Sequence, residues 1–139
     1  MRSDVAMSGN FGYELDLTLF TPEEQAEAAA QVAFYKEIRS LVQKGDMYCL
    51  LSPFEGNETA WMFVAENLSE ALADYFRVLA GPNTSHPRLR LQGLDPEKDY
   101  VLKETGAVYG GDRLMYAGLL LPELHGDFQS KLFHFVAVE

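Results

Sequence analysis

Thr21-Pro22-Glu23-Glu24 opens the stretch TPEEQAEAAAQVAFYKEIRSLVQKG, residues 21 to 45, on which the reading of the whole chain turns. Thr21 followed three residues later by Glu24 is the spacing of a capping box, and Pro22 suits the first helical position because it has no N–H to leave unpaired. Glu23 and Glu24 put negative charge at the positive end of the helix dipole, and Lys44 puts a cation at the other end. Strong helix formers fill the interior, and Gly45 supplies a residue tolerant of left-handed geometry at the exit. The spacing predicts a helix over 21–44. Ala30, Phe34, Ile38, Leu41 and Val42 recur at helical period, widened by Ala26, Val32 and Ala33, so one face is apolar. At about 1.5 Å per residue the helix is roughly 35 Å long, and its stripe calls for an apolar wall of matching length.

That wall is expected after Gly45, where the period changes. Met47 to Leu51 and Ala60 to Ala65 flank the turn Glu55-Gly56-Asn57-Glu58 and read as a hairpin. Glu70 to Leu79 reads as a strand in which Asp74 falls on the apolar side, and Gly81-Pro82 ends it. Leu89 and Leu91 alternate with Arg88, Arg90 and Gln92, and Gly93-Leu94-Asp95-Pro96 turns the chain into Asp99 to Lys103. Val108-Tyr109 is a further strand, Arg113 to Ala117 one helical turn, and Phe128 to Val138 a last strand buried on both faces. Short strands with turn signals between them define a mainly β chain, an antiparallel β-sandwich preceded by one long α-helix. Before the helix, Val5-Ala6-Met7 reads as the end of a strand entering the glycine loop Ser8-Gly9-Asn10-Phe11-Gly12. Such a strand requires parallel neighbours that the chain does not supply.

Composition narrows the function. A length of 139 residues, 47% hydrophobic with seven Tyr and nine Phe, is enough for one core and excludes a disordered tail. The net charge of −10 repels phosphate backbones and anionic lipid, which argues against nucleic-acid and membrane partners. One cysteine and no charged leader ahead of an apolar run point to a reducing cytoplasm. The N-x-S/T triplets beginning at Asn57, Asn67 and Asn83 read as chance matches at turns.

Candidate chemistry is sparse. Cys49 lies inside an apolar strand pattern and reads as a small core residue. His86, His125 and His134 have no ligand spacing, and nothing calls for a metal or other cofactor. Gly9-x-x-Gly12 lacks the features of a phosphate loop and reads as a turn. Most acidic residues occupy turn or cap contexts, so no catalytic carboxylate pair is assigned. Trp61, Tyr109 and Tyr116 would have to share one face to stack on a sugar.

Four separated stretches resemble one family. Asp4-Val5-Ala6-Met7-Ser8-Gly9-Asn10-Phe11-Gly12-Tyr13-Glu14-Leu15-Asp16, Phe34-Tyr35-Lys36-Glu37-Ile38-Arg39, Gly93-Leu94-Asp95-Pro96 and Gly126-Asp127-Phe128-Gln129-Ser130 are similar, in that order, to the C-terminal end of bacterial α-galactosidases of glycoside hydrolase family 36. Ala73-Asp74 departs from a more apolar pattern in that family. The resemblance implies that residues 1–45 are the last strand-helix unit of a catalytic (β/α)8 barrel and residues 46–139 its C-terminal antiparallel β domain. Family members are retaining hydrolases whose two catalytic aspartates lie upstream of this region. None is therefore carried over, and the chain alone is expected to be inactive. The loop Ser8 to Tyr13 would border the sugar pocket of an intact enzyme, with Asn10 and Phe11 on its rim. The expected partners are the missing barrel, a galactoside only in the intact enzyme, and a second copy through the uncovered helix face. The rival reading is a free-standing carbohydrate-binding or interaction module.

Overall fold

A computed structural model describes residues 1–81 and 88–138. In chain order these residues form α1 (Arg2–Met7), a 3-10 turn (Leu17–Leu19), α2 (Pro22–Lys44), β1 (Asp46–Leu51), β2 (Glu58–Val64), β3 (Glu70–Arg77), β4 (Arg88–Leu89), β5 (Asp99–Leu102), β6 (Ala107–Gly110), α3 (Gly111–Tyr116), β7 (Leu119–Leu120) and β8 (Gln129–Ala137). Pro82, the Asn83 triplet and His86 lie outside the described residues. Six strands make one antiparallel sheet in the order β1-β2-β3-β8-β5-β6, and β4 with β7 makes a second, two-stranded sheet.

The large sheet is covered on both faces. Met62, Ala73, Tyr75, Phe133 and Phe135 point to one side, where they pack with Leu89, Leu91, Leu114, Leu119 and Leu121 from the small sheet and α3. Phe63 and Leu72 point to the other, where they meet Ile38, Leu41 and Val42 of α2 and Met7 of α1. Alternate residues therefore serve two cores, which is why β3 is buried at nearly every position and the middle of β8 on both faces. Each large side chain buried this way contributes about 1.5–3 kcal/mol.

The start of α2 is built as its sequence implies. Thr21 Oγ1 accepts from the Glu24 N–H at 3.2 Å and Glu24 Oε2 accepts from the Thr21 N–H at 2.8 Å, a complete capping box. The packing of α2 differs from the expected stripe. Tyr35, Ile38, Leu41 and Val42 are buried and Phe34 is half-buried, while Ala26, Ala30 and Ala33 are exposed. The sheet supplies a wall only for the C-terminal half of the helix. Ala28 is the buried residue of the first half.

Two other expectations are corrected. Val5-Ala6-Met7 is helical in α1, not the end of a strand. The helix pairs its backbone groups internally and buries Met7 against α2 and the sheet. Cys49 is exposed. It lies on β1, an edge strand, opposite Trp61 in register, on a part of the sheet face that α2 does not reach.

Gly45 leaves α2 with an extended backbone, φ −75° and ψ 160°, so left-handed freedom is not its role. A Cβ there would lie 2.6 Å from the Leu41 carbonyl oxygen and 2.7 Å from that of Val64. The helix end and β2 approach too closely for any side chain. In the Gly93-Leu94-Asp95-Pro96 turn the requirement is dihedral as well: Gly93 has φ +74° and sits against the Tyr48 ring, 2.5 Å from where its Cβ would be. Tyr100 then holds the turn, accepting from the Asp95 N–H and donating to the Leu68 carbonyl, both at 3.0 Å. Gly45→Ala is expected to lower stability by about 1–3 kcal/mol through forced separation of α2 from β2, measured as a fall in the urea midpoint without a change in slope.

Candidate functional site

The stretch Ser8 to Tyr13 leaves α1 and runs along the first half of α2. Three hydrogen bonds hold it. The Tyr35 hydroxyl donates to the Gly9 carbonyl at 2.7 Å, the Tyr13 hydroxyl donates to Gln31 Oε1, and the Ser8 hydroxyl donates to Asp74 Oδ2 at 2.8 Å. Aromatic contacts add to them: Phe11 lies 5.4 Å from both the Tyr13 and Tyr35 rings, and Tyr13 meets Phe20 edge-on at 6.3 Å.

Asn10 is exposed and Phe11 half-buried, and both line an open groove with Arg2, Tyr13, Glu24 and Gln31. The structure thus brings the two sequence-predicted residues to one concave surface. The carboxylates along this groove include Glu24, committed to the Thr21 cap, and Glu27, which accepts from Gln31 Nε2 at 3.0 Å. The groove therefore offers an amide, aromatic edges and backbone polar groups, which suit recognition of a polar ligand.

Beneath the loop is a buried polar relay. The Trp61 indole N–H donates to Ser8 Oγ at 2.8 Å, Ser8 passes its own hydrogen to Asp74, and the Trp61 ring stacks on Phe76 at 4.6 Å. Asp74 is 1% exposed, and its Oδ1 has no hydrogen-bond partner. Burial, only partly offset by the Ser8 and Trp61 hydrogen bonds, raises its carboxyl from 3.8 to about 7, and the neighbouring Asp4 adds to the rise. On α1 Asp4 accepts from the Ser130 hydroxyl at 2.5 Å, so the N-terminal segment is tied to β8 as well as β3.

A second polar cluster sits where α2 crosses β8. His134 is 1% exposed, its Nε2 lies 2.6 Å from Glu70 Oε1 and its Nδ1 3.7 Å from Glu37 Oε1. Phe34 closes over it, ring centroids 6.3 Å apart. The Lys103 ammonium bonded to Glu37 holds that carboxyl below the usual range. Farther along β3, Arg77 is buried and donates to the carbonyls of Leu124 and Gly126, pinning the segment before β8.

Other candidate groups do not converge. Trp61 belongs to the helix-side core, Tyr109 to the opposite one under Arg113, and Tyr116 is 73% exposed on α3. Among the described residues no group of three or more His, Cys, Asp or Glu side chains is arranged to hold a metal ion, and no helix is long and apolar enough to cross a membrane. The relay of Trp61, Ser8 and Asp74 escaped sequence reasoning, although its one signal was visible: a carboxylate in an otherwise apolar strand pattern.

The comparisons with known proteins agree with this architecture. The model described as Glycosyl hydrolase family 36 C-terminal domain matches residues 58–135, and the one described as Melibiase matches residues 1–45. The chain belongs to glycosyl hydrolase family 36, and residues 58–135 are the part that matches its C-terminal domain. It is 57% identical over 138 residues to α-galactosidase AgaA of Geobacillus stearothermophilus, covering 99% of this chain and 19% of that protein. It is 42% identical over 137 residues to α-galactosidase Mel36A of Lactobacillus acidophilus, again covering 99% and 19%. The crystal structure of the family 36 α-galactosidase AgaB from Geobacillus stearothermophilus superposes with a TM-score of 0.94 at 59% identity, covering 99% of this chain and 19% of that one. The chain thus spans about a fifth of the length of these relatives.

Tyr35→Phe is expected to cost about 1 kcal/mol by removing the hydroxyl that holds Gly9, and to speed amide exchange in residues 8–13 without changing that of β3.

Proposed function

We propose that this chain is the closing portion of an α-galactosidase: residues 1–45 complete a catalytic (β/α)8 barrel, and residues 46–139 form a β domain that braces it. One observation carries the reading. The likeness to α-galactosidases runs through 99% of the chain at 57% identity, across both the Melibiase match and the C-terminal domain match. The division at residue 45 is supported by the two separate matches and by the close approach at Gly45, where helix gives way to sheet.

In this reading the exposed first half of α2 and the groove beside it face the rest of the barrel. Asn10 and Phe11 border the sugar pocket, Asn10 offering an amide to a sugar hydroxyl and Phe11 an aromatic edge. The two catalytic aspartates belong to the missing barrel, and the ligand is an α-galactoside. An exposed, free Cys49 suits a reducing cytoplasm. The separation of Trp61, Tyr109 and Tyr116 speaks against a free-standing sugar-binding platform.

The purified 139-residue chain is expected to leave p-nitrophenyl α-galactoside intact and to restore turnover when combined with the separately produced preceding four-fifths of a close relative. Hydrolysis by the chain alone, at a rate that survives repurification, would overturn the proposal. In an intact enzyme carrying this sequence, Asn10→Ala is expected to raise KM roughly tenfold, the loss of one hydrogen bond to substrate.

A further inference from the structure

We propose that Asp74 is a protonation-sensitive latch: with its carboxyl neutral it holds α1 and the loop Ser8 to Tyr13 against the sheet, and on ionising it releases them. The geometry makes this carboxyl unlike the others among the described residues. It is 1% exposed, its Oδ2 receives the Ser8 hydrogen, and its Oδ1 is buried with no donor. Ser8 has one hydrogen and spends it on Asp74, while its oxygen accepts from Trp61. The Trp61 N–H lies near enough to favour the charged carboxyl in part, but it is bonded to Ser8, and no donor reaches Oδ1. An ionised carboxylate there lacks the hydrogen bonds that water would give it.

The residue that docks against Asp74 belongs to the N-terminal segment itself. Opening the segment removes Ser8, admits water and lets the carboxylate be solvated, so ionisation and release are linked. The other titratable groups on this face are Asp4 and the Met1 ammonium from the N-terminal segment, Tyr35 and Glu37 from α2, and His134 from β8 with Glu70 of β3 bonded to it. Asp4 adds negative charge near Asp74 and strengthens the effect. His134 lies on the same sheet face, opposite Leu72, while Leu132 is opposite Asp74. It is thus a second group to be separated from the latch by mutation.

Burial raises the docked carboxyl to about 7 from an ordinary 3.8. The docked state therefore binds a proton that the released state gives up. Docking is firmest below the ordinary value, weakens as pH rises from there to about 7, and is weakest above it. That the released loop borders a sugar pocket rests on the function proposed above. The latch itself is read in the 139-residue chain without substrate, so the two proposals fail separately.

Trp61 is the single tryptophan and a member of the relay, so its fluorescence reports directly. In the 139-residue chain, emission is expected to titrate with a midpoint within about one unit of pH 7. Amide exchange in residues 7–13, corrected for intrinsic base catalysis, is expected to be at least about tenfold faster at roughly pH 8.5 than at roughly pH 5.5. Asp74→Asn should remove both changes, and His134→Gln should retain them. Ser8→Ala, which keeps the carboxyl and deletes its donor, should move the fluorescence midpoint upward. A flat wild-type profile, a transition that persists in Asp74→Asn or vanishes in His134→Gln, or an unmoved midpoint in Ser8→Ala overturns the proposal.

Discussion

The structure depends on the burial of β3 and the middle of β8 on both faces. Leu72, Phe76 and His134 point one way, Ala73, Tyr75, Phe133 and Phe135 the other, and all are nearly inaccessible to solvent. A six-stranded sheet with two apolar faces cannot stand in water, so it needs two covers. The small sheet and α3 provide one. The other is provided by α2 and α1, which come from the first part of the chain, so the two matched regions share a core. This explains why the segment that matches the Melibiase model and the one that matches the C-terminal domain model form one folded unit.

The second cover is incomplete, and what is left over is informative. The C-terminal half of α2 is packed, its N-terminal half projects past the sheet, and Met47, Cys49 and Leu51 stay exposed on the edge strand. In relatives about five times longer the remaining chain is available to meet such surfaces. The polar groups admitted under the helix are limited to those with a tethering role. His134 of β8 bonds Glu70 of β3 and lies 3.7 Å from Glu37 of α2, and Asp74 links Ser8 to the sheet.

Much of this was legible because local rules agreed with one another. The capping box of Thr21 and Glu24 rests on contacts within a few residues, and the turns at Gly56 and Gly93 are marked by turn residues, although Gly93 is also held against Tyr48 across the fold. The strand from Glu70 was readable from alternation and the one toward Val138 from apolar density, and the resemblance in four ordered stretches led to the family. The two-residue strand β7 was not readable, because Leu119-Leu120 carries no period of its own and is a strand only through pairing with β4. The placement of Asn10 and Phe11 on one groove followed from the loop before α2. The relay beneath that loop did not, since Ser8, Trp61 and Asp74 are separated by 53 and 66 positions where they bond.

By itself the sequence determined the long helix with both its ends, the main strands after it in their order, and the family, because capping, period and turn chemistry act over short distances and motif order survives without coordinates. Tertiary structure decided what each element faces. It made Val5-Ala6-Met7 part of a helix packed on α2 through Met7 and left Cys49 in solvent because the cover over β1 stops short. It made Gly45 a matter of clearance between two carbonyls, not of dihedral freedom. It also gave Asp74 a partner across the fold, which no local pattern records, since burial and long-range pairing are properties of the assembled core.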